Sequence, residues 1–397
     1  MKGYTATNES GELVYYEDRK RWLWLMSVGF PLIVFPGLWL HAVTGVEAWL
    51  FMPVPIVYVL TPILDWLIGE DTNNPPEAVV RQLDNDRYYR VLTYLVVPLH
   101  IVAFLVTAWW AGTQTLSTWA FLGLGITAGM ASGLAINTGH ELGHKNSRLE
   151  RLLAKIVLAV PAYGHFWIEH NRGHHMTVAT PDDPASARMG ESIYRFAARE
   201  MPGAFRGAWA IERERLERRG LAVWGHENRI LQSFALTALL QASVILAFGP
   251  KMVAFLLLHN FFAWWQLTSA NYIEHYGLLR SKDARGRYQR CEPQHSWNCN
   301  YILSNLVMFH LERHSDHHAF PLRRYQSLRH FDNLPTLPNG YYGCFVLAWI
   351  PPLWFKVMDP KLLALPHVEG DLDRVNIEPG RRARIEARHG DLIAADV

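Results

Sequence analysis

The chain has 397 residues, half of them apolar, with 16 tryptophans and a formal net charge of +2 at pH 7. With 38 basic residues set against 36 acidic ones, it lacks the charge excess of a nucleic-acid binder. The bunching of its apolar residues argues against one or two soluble domains, because a bilayer core about 30 Å thick is crossed by roughly 20 helical residues and runs of that length recur.

In chain order, six segments have this length: Trp22 to Leu40, Trp49 to Ile68, Val91 to Ala111, Thr118 to Asn137, Ile230 to Phe248 and Lys251 to Asn271. Arg19, Lys20 and Arg21 precede the first, and no small-residue cleavage site follows it, so a cleavable signal peptide is not expected. Lys2, Arg19, Lys20 and Arg21, with Arg81, Arg87 and Arg90 after the second segment, mark those stretches as cytoplasmic. The loops from His41 to Ala48 and from Gly112 to Ser117 carry no Lys or Arg, and the turn near Pro250 offers only Lys251. Both termini are therefore expected on the cytoplasmic side.

The expected fold class is an all-α integral membrane protein, a bundle of six transmembrane helices with a cytoplasmic, histidine-rich helical cap. Residues 1–21 form an amino-terminal cytoplasmic segment and residues 22–139 the first four spans. Residues 140–229 form a cytoplasmic region with a short interfacial helix over Leu152 to Val160. Residues 230–272 supply spans five and six. Residues 273–397 form a second cytoplasmic region, with an apolar hairpin broken at Pro351 and Pro352 and then a polar tail. The run from Glu212 to Arg218 reads as a solvated helix face. Cys291, Cys299 and Cys344 fall on cytoplasmic segments without metal-knuckle spacing and read as reduced structural thiols.

Nine of the 19 histidines lie in four clusters, each just past an apolar segment or in the polar block that follows one. His140 and His144 sit four apart in His-Glu-Leu-Gly-His, so on a helix they share a face. Alone, this is the H-E-x-x-H signature of zinc metalloproteases, with Glu141 as general base. His170, His174 and His175 repeat the four-residue spacing and add a neighbour. Adjacent helical residues diverge by about 100°, so His174 and His175 can serve different ions. His314, His317 and His318 repeat the pattern, and His275 stands alone in Asn-Tyr-Ile-Glu-His-Tyr-Gly. Nine imidazoles exceed the four of a closed zinc site and are enough for two metal ions. His165, His226, His295, His330, His367 and His389 read as solvated. No Rossmann glycine fingerprint or P-loop is present, so electrons for redox chemistry must come from another protein.

The runs His140-Glu-Leu-Gly-His-Lys145, Glu169-His-Asn-Arg-Gly-His-His175, Asn271-Tyr-Ile-Glu-His-Tyr-Gly277 and Leu311-Glu-Arg-His-Ser-Asp-His-His318, with Thr180-Pro-Asp-Asp-Pro-Ala-Ser186, resemble the integral-membrane alkane 1-monooxygenases. That family lies within the wider group of membrane histidine-box desaturases and hydroxylases. The run around His275 discriminates, since the other three boxes are shared with desaturases. The resemblance covers the chain up to about Pro360. It implies a catalytic non-haem di-iron centre: two Fe ions held by His140, His144, His170, His174, His175, His275, His314, His317 and His318. The reaction would use O2 to hydroxylate the terminal methyl of an n-alkane. Glu141, Asp182, Glu274 and Asp316 become candidate acceptors for the outer N–H of the ligands. Glu169 and Asp183 are better read as caps or salt-bridge partners, and His310 as a ligand or an outer partner. The implied partners are rubredoxin, a flavin-dependent rubredoxin reductase behind it, and the bilayer of a bacterial inner membrane; nucleic acid is not among them, and a homo-oligomer is left open. Arg172, Arg323 and Arg324 suit an acidic donor. A desaturase or a hydroxylase of another lipid or aromatic methyl group is the nearest alternative, and a membrane zinc protease or a metal carrier the more distant ones.

Overall fold

The computed structural model describes residues 2–393. The chain opens with an antiparallel hairpin, β1 (Gly3–Thr7) and β2 (Leu13–Glu17), with Tyr4 opposite Tyr16. This corrects the all-α expectation for residues 1–21. Its cause is the turn, where Gly11 takes φ +86° and the Asn8 side chain accepts from the Glu12 amide.

Apolar helices follow: α1 (Leu25–Thr44), α2 (Glu47–Ile68), the short polar-faced α3 (Glu77–Asn85), α4 (Arg87–Thr113), α5 (Thr118–Gly143) and α6 (Arg148–Ala159). Asp86 and Ser117 cap α4 and α5 by accepting the Tyr88 and Ala120 amides. Asp86 also binds Tyr4, Lys2 and Arg21, which ties the hairpin to the base of α4. Beyond the second histidine box come α7 (Ile193–Glu217), α8 (Arg229–Phe248) and α9 (Met252–Glu274). Among the described residues, α1, α2, α4, α5 and α8 are each long and apolar enough to cross a membrane. The sixth expected span, α9, has 23 residues but carries His259, Asn260, Gln266, Ser269 and Asn271 and packs at the centre of the bundle. In it His259 is held by Ser132 and Asn260, so its polarity is satisfied internally.

Helix α5 is the axis of the molecule, and most of it is buried. A Cβ at Gly129 would meet the His259 carbonyl, and one at Gly133 would meet the Gln266 side chain, so these glycines let α5 and α9 approach backbone to backbone. Both helices end beside the histidines. Later elements include α10 (His314–Ala319), the interrupted pair α11 (Tyr341–Ala348) and α12 (Pro351–Leu363), and α13 (Arg382–His389). The expected solvated face of α7 is corrected in part: Glu212 and Arg215 are buried, bonded to each other, and close the start of α8 through the Arg229 amide.

Candidate metal centre

The nine clustered histidines converge in two adjoining groups. His140, His144, His170, His175 and His317 form one, and His174, His275, His314 and His318 the other; within each, one ligand atom per residue lies within 4.8 Å of all the rest. Eight of the nine are buried and His175 is half-buried. The sorting follows local backbone. His140 and His144 are one helical turn apart and stay together. His314 and His318, also four apart, bring their Nε2 atoms to 2.9 Å, while His317 turns into the other group. The second box departs from α-helical spacing. Residues His170–His174 form a π turn, so that His170 faces His175, with Nε2 atoms 3.1 Å apart, and His174 faces away. The four-residue spacing of His170 and His174 therefore does not put them in one group, and the neighbours His174 and His175 fall in different ones.

The donor geometry fits metal. Two nitrogens bound to one ion at about 2.1 Å lie about 3.0 Å apart at a right angle and about 3.4 Å apart at a tetrahedral angle. Besides the His314–His318 and His170–His175 pairs, Nε2 separations are 2.9 Å for His140–His317, 3.2 Å for His175–His317 and 3.1 Å for His275–His314. The 2.9 and 3.1 Å values match a right angle and 3.2 Å falls between the two geometries, while five donors in one group exceed the four of tetrahedral zinc. Nε2 of His144 and of His174 are buried without a hydrogen-bond partner among the described residues, an expensive arrangement unless an ion takes them. Burial holds His170, His175 and His317 well below the usual imidazole range and lowers His275 to about 3, so these four are neutral at pH 7 and free to act as metal donors.

The outer nitrogens are partly engaged. His275 donates from Nδ1 to the His295 carbonyl at 3.0 Å, and His174 Nδ1 meets Asp183 Oδ2 at 2.9 Å. Asp183 also accepts from Ser186 and the Ala185 amide, so one carboxylate fixes the imidazole and the turn that carries it. Asp183, read from sequence as a cap or salt-bridge partner, contacts a clustered histidine, whereas its neighbour Asp182 is exposed. The signal available in sequence was the Ser at 186, three residues on, which closes the turn. Glu274 Oε2 lies 3.4 Å from His314 Nε2. Glu141 pairs with Lys145 Nζ at 3.1 Å, which occupies the protease general-base position. Asp316 accepts both bonds of the Arg323 guanidinium at 2.9 Å and meets no imidazole in these bonds. His310 stands outside both groups, bonded to the Tyr325 carbonyl and close to Lys20 Nζ. His165, His295 and His389, expected to be solvated, are buried.

Two cavities meet the groups. A narrow slot of about 50 Å³ runs between α5 and α9, with His140, His170 and His314 at one end and Met130, Leu134 and Phe345 along its wall. A separate basin of about 660 Å³ is lined by His144, His175 and His318 together with Arg151, Arg172, Arg280 and Arg290. Arg323 and Arg324 are not free for a partner, because they are tied to Asp316 with Glu77 and to Glu150.

The fatty acid desaturase family model matches residues 117–348, the stretch that holds all four boxes. The chain is 53% identical to the alkane 1-monooxygenase of Pseudomonas putida over 96% of this chain and 94% of that one. The chain belongs to the alkane 1-monooxygenase family. It is also 52% identical to alkane 1-monooxygenase 1 of Alcanivorax borkumensis, over 94% of this chain and 92% of that one. Similarity extends more weakly, at 26% identity over 91% of this chain and 86% of the relative, to the hydroxylase component of a Pseudomonas putida xylene/toluene monooxygenase. Alkane 1-monooxygenases are oxidoreductases, so the two histidine groups belong to an enzyme that lies in a membrane through several apolar helices.

Proposed function

We propose that this protein converts n-alkanes to primary alcohols, taking one oxygen atom from O2 and two electrons from reduced rubredoxin, with the nine histidines holding two iron ions. The observation that carries this reading is the slot: an apolar channel between two central helices that ends on His140, His170 and His314. The iron pair, when bound, supplies the redox chemistry by which O2, two electrons and two protons with R–CH3 give R–CH2OH and water.

The chain's own residues do the rest. Each buried CH2 contributes about 0.8 kcal/mol, so an eight-carbon chain is drawn out of water by roughly 6 kcal/mol, and the bilayer is the reservoir from which it enters. Met130, Leu134, Leu267 and Phe345 exclude water and hold an unbranched chain end-on to the histidines. Asp183 orients His174, and the His295 carbonyl orients His275.

The six-span topology, with the histidine groups and both termini on the cytoplasmic face of a bacterial inner membrane, is part of this reading. It is supported by the basic stretches around Arg21 and Arg87 and by α5 and α9 ending at the same two groups. Acidic rubredoxin is read as docking over the basin, where Arg172 and Arg290 meet its charge and His144, His175 and His318 bring the metal groups close to the surface.

Octane with labelled O2 and a rubredoxin supply tests the reaction. Labelled 1-octanol is the expected product, with about two irons per chain; an unlabelled alkene, or turnover of xylene without turnover of octane, would replace the reading.

A further inference from the structure

A third cavity, of about 190 Å³, lies away from both histidine groups, between the start of α7, α12 and α13. Arg195, Arg381, Arg384 and Arg388 line it, over an apolar floor that includes Pro351 and Phe355. Four guanidinium groups converging on one hollow repel each other unless an anion sits among them. Glu378 meets only two of them, Arg195 at 2.8 Å and Arg381 at 3.3 Å. Arg384 and Arg388 form no ion pair among the described residues. The one carboxylate in the lining, Asp359, is engaged from within by Tyr276 and His389.

The surroundings fix the depth of this hollow. Tyr194, one residue before Arg195, stacks on Trp265 at 5.7 Å and donates to the Trp349 carbonyl at 2.8 Å. Trp265 packs in turn on Phe261 and Trp349. Tyr194, Trp265 and Trp349 are amphipathic rings of the kind enriched where hydrocarbon meets headgroups. Ile350 and Leu353, beside Pro351, are exposed apolar residues at the same edge. The hollow therefore combines unpaired cations with an apolar approach at headgroup depth.

We propose that this cavity binds the phosphate headgroup of an anionic phospholipid, with the acyl chains lying along Ile350 and Leu353. The inference rests on the membrane placement of the chain and not on the reaction at the metal groups. A bound headgroup joins α13 to α12, and through Asp359 and Tyr276 it braces the residue next to His275.

The test uses the full chain in mixed detergent micelles holding equal amounts of phosphatidylglycerol and phosphatidylcholine, with retained lipid counted by mass spectrometry. Wild-type protein is expected to retain phosphatidylglycerol preferentially. The double substitution Arg384→Gln with Arg388→Gln is expected to weaken that retention by about 30-fold, the effect of removing two cations from an anionic headgroup contact. Arg195→Gln, on a different helix, should lose the preference as well, which guards against a local defect in α13. Arg382→Gln, already paired with Asp373 and Glu386, should keep it. Octane hydroxylation measured in parallel keeps a failure here separate from a failure of the proposed reaction. Equal retention of the two lipids, unchanged retention by the double variant, or displacement of the lipid by inorganic phosphate at equal concentration overturns the proposal.

Discussion

His170 and His175 face each other with Nε2 atoms 3.1 Å apart, although an ideal α-helix would turn them well away from one another. The π turn between them routes His174 into the neighbouring group, so the three histidines of one short segment are divided between the two groups proposed to hold the ions. Exchanging single histidines should therefore separate the ions. His170→Ala is expected to lower metal content from about two to about one per chain by disabling the group of five, and His174→Ala to do so by disabling the group of four. Elemental analysis with metal spectroscopy checks this, and loss of the same spectral component in both variants would show that the groups do not act as separate sites.

Asp183→Asn removes the charge that fixes His174 through Nδ1. A 10- to 100-fold fall in metal affinity or turnover is expected, the usual cost of losing a carboxylate behind a ligating imidazole, roughly 1.4 to 2.7 kcal/mol. Asp182→Asn, one residue away and exposed, should leave both unchanged. Metal titration of the two variants side by side decides the matter.

Gly133 sets the width of the slot, because any Cβ there meets the Gln266 side chain on the facing helix. Gly133→Ala is expected to lower kcat/KM by about tenfold for long n-alkanes and less for short ones, the scale of one misplaced methyl group in an apolar pocket. A series of alkanes of increasing length reads this directly. A uniform loss across the series would point instead to displaced helices.

Stability should depend on pH in opposite directions at the two ends of the range. Burial lowers His165 and His295 from 6.5 to about 4, so the unfolded chain takes up protons first and metal-free protein loses stability as pH falls from about 6.5 to 4. Burial raises Glu200 from 4.5 to about 7 and Glu312 to about 8; the stability tied to these neutral carboxyls is full below 4.5 and is lost as pH rises through 7 and 8. Thermal denaturation in detergent should therefore show acid-side and alkaline-side declines. Glu200→Gln, which keeps an acceptor for Thr268 and Asn271, is expected to flatten the alkaline side.

The four histidine boxes and the long apolar segments were legible from sequence because they rest on composition and spacing over many residues. The π turn was not, since it differs from α-helix by one hydrogen-bond register and His170 to His175 has no residue that announces it. The amino-terminal hairpin left a signal in Asn8 and Gly11, weaker than that of the basic residues Lys2, Arg19, Lys20 and Arg21 around it. Arg323 and Arg324 looked like surface cations because Glu77 and Glu150 lie more than 170 positions away in the chain. Separations of 82 and 65 positions likewise hid Asp86, whose partners Tyr4 and Arg21 are brought to it by the hairpin.

His317 and His318 are neighbours in the chain, yet one completes the group of five and the other the group of four. Neither group is complete within the first two boxes: the group of five closes only at His317 and the group of four at His318. On the proposed reading, metal loading is a late event, because a chain still being synthesised gains its last donors to both groups only when residue 318 has emerged.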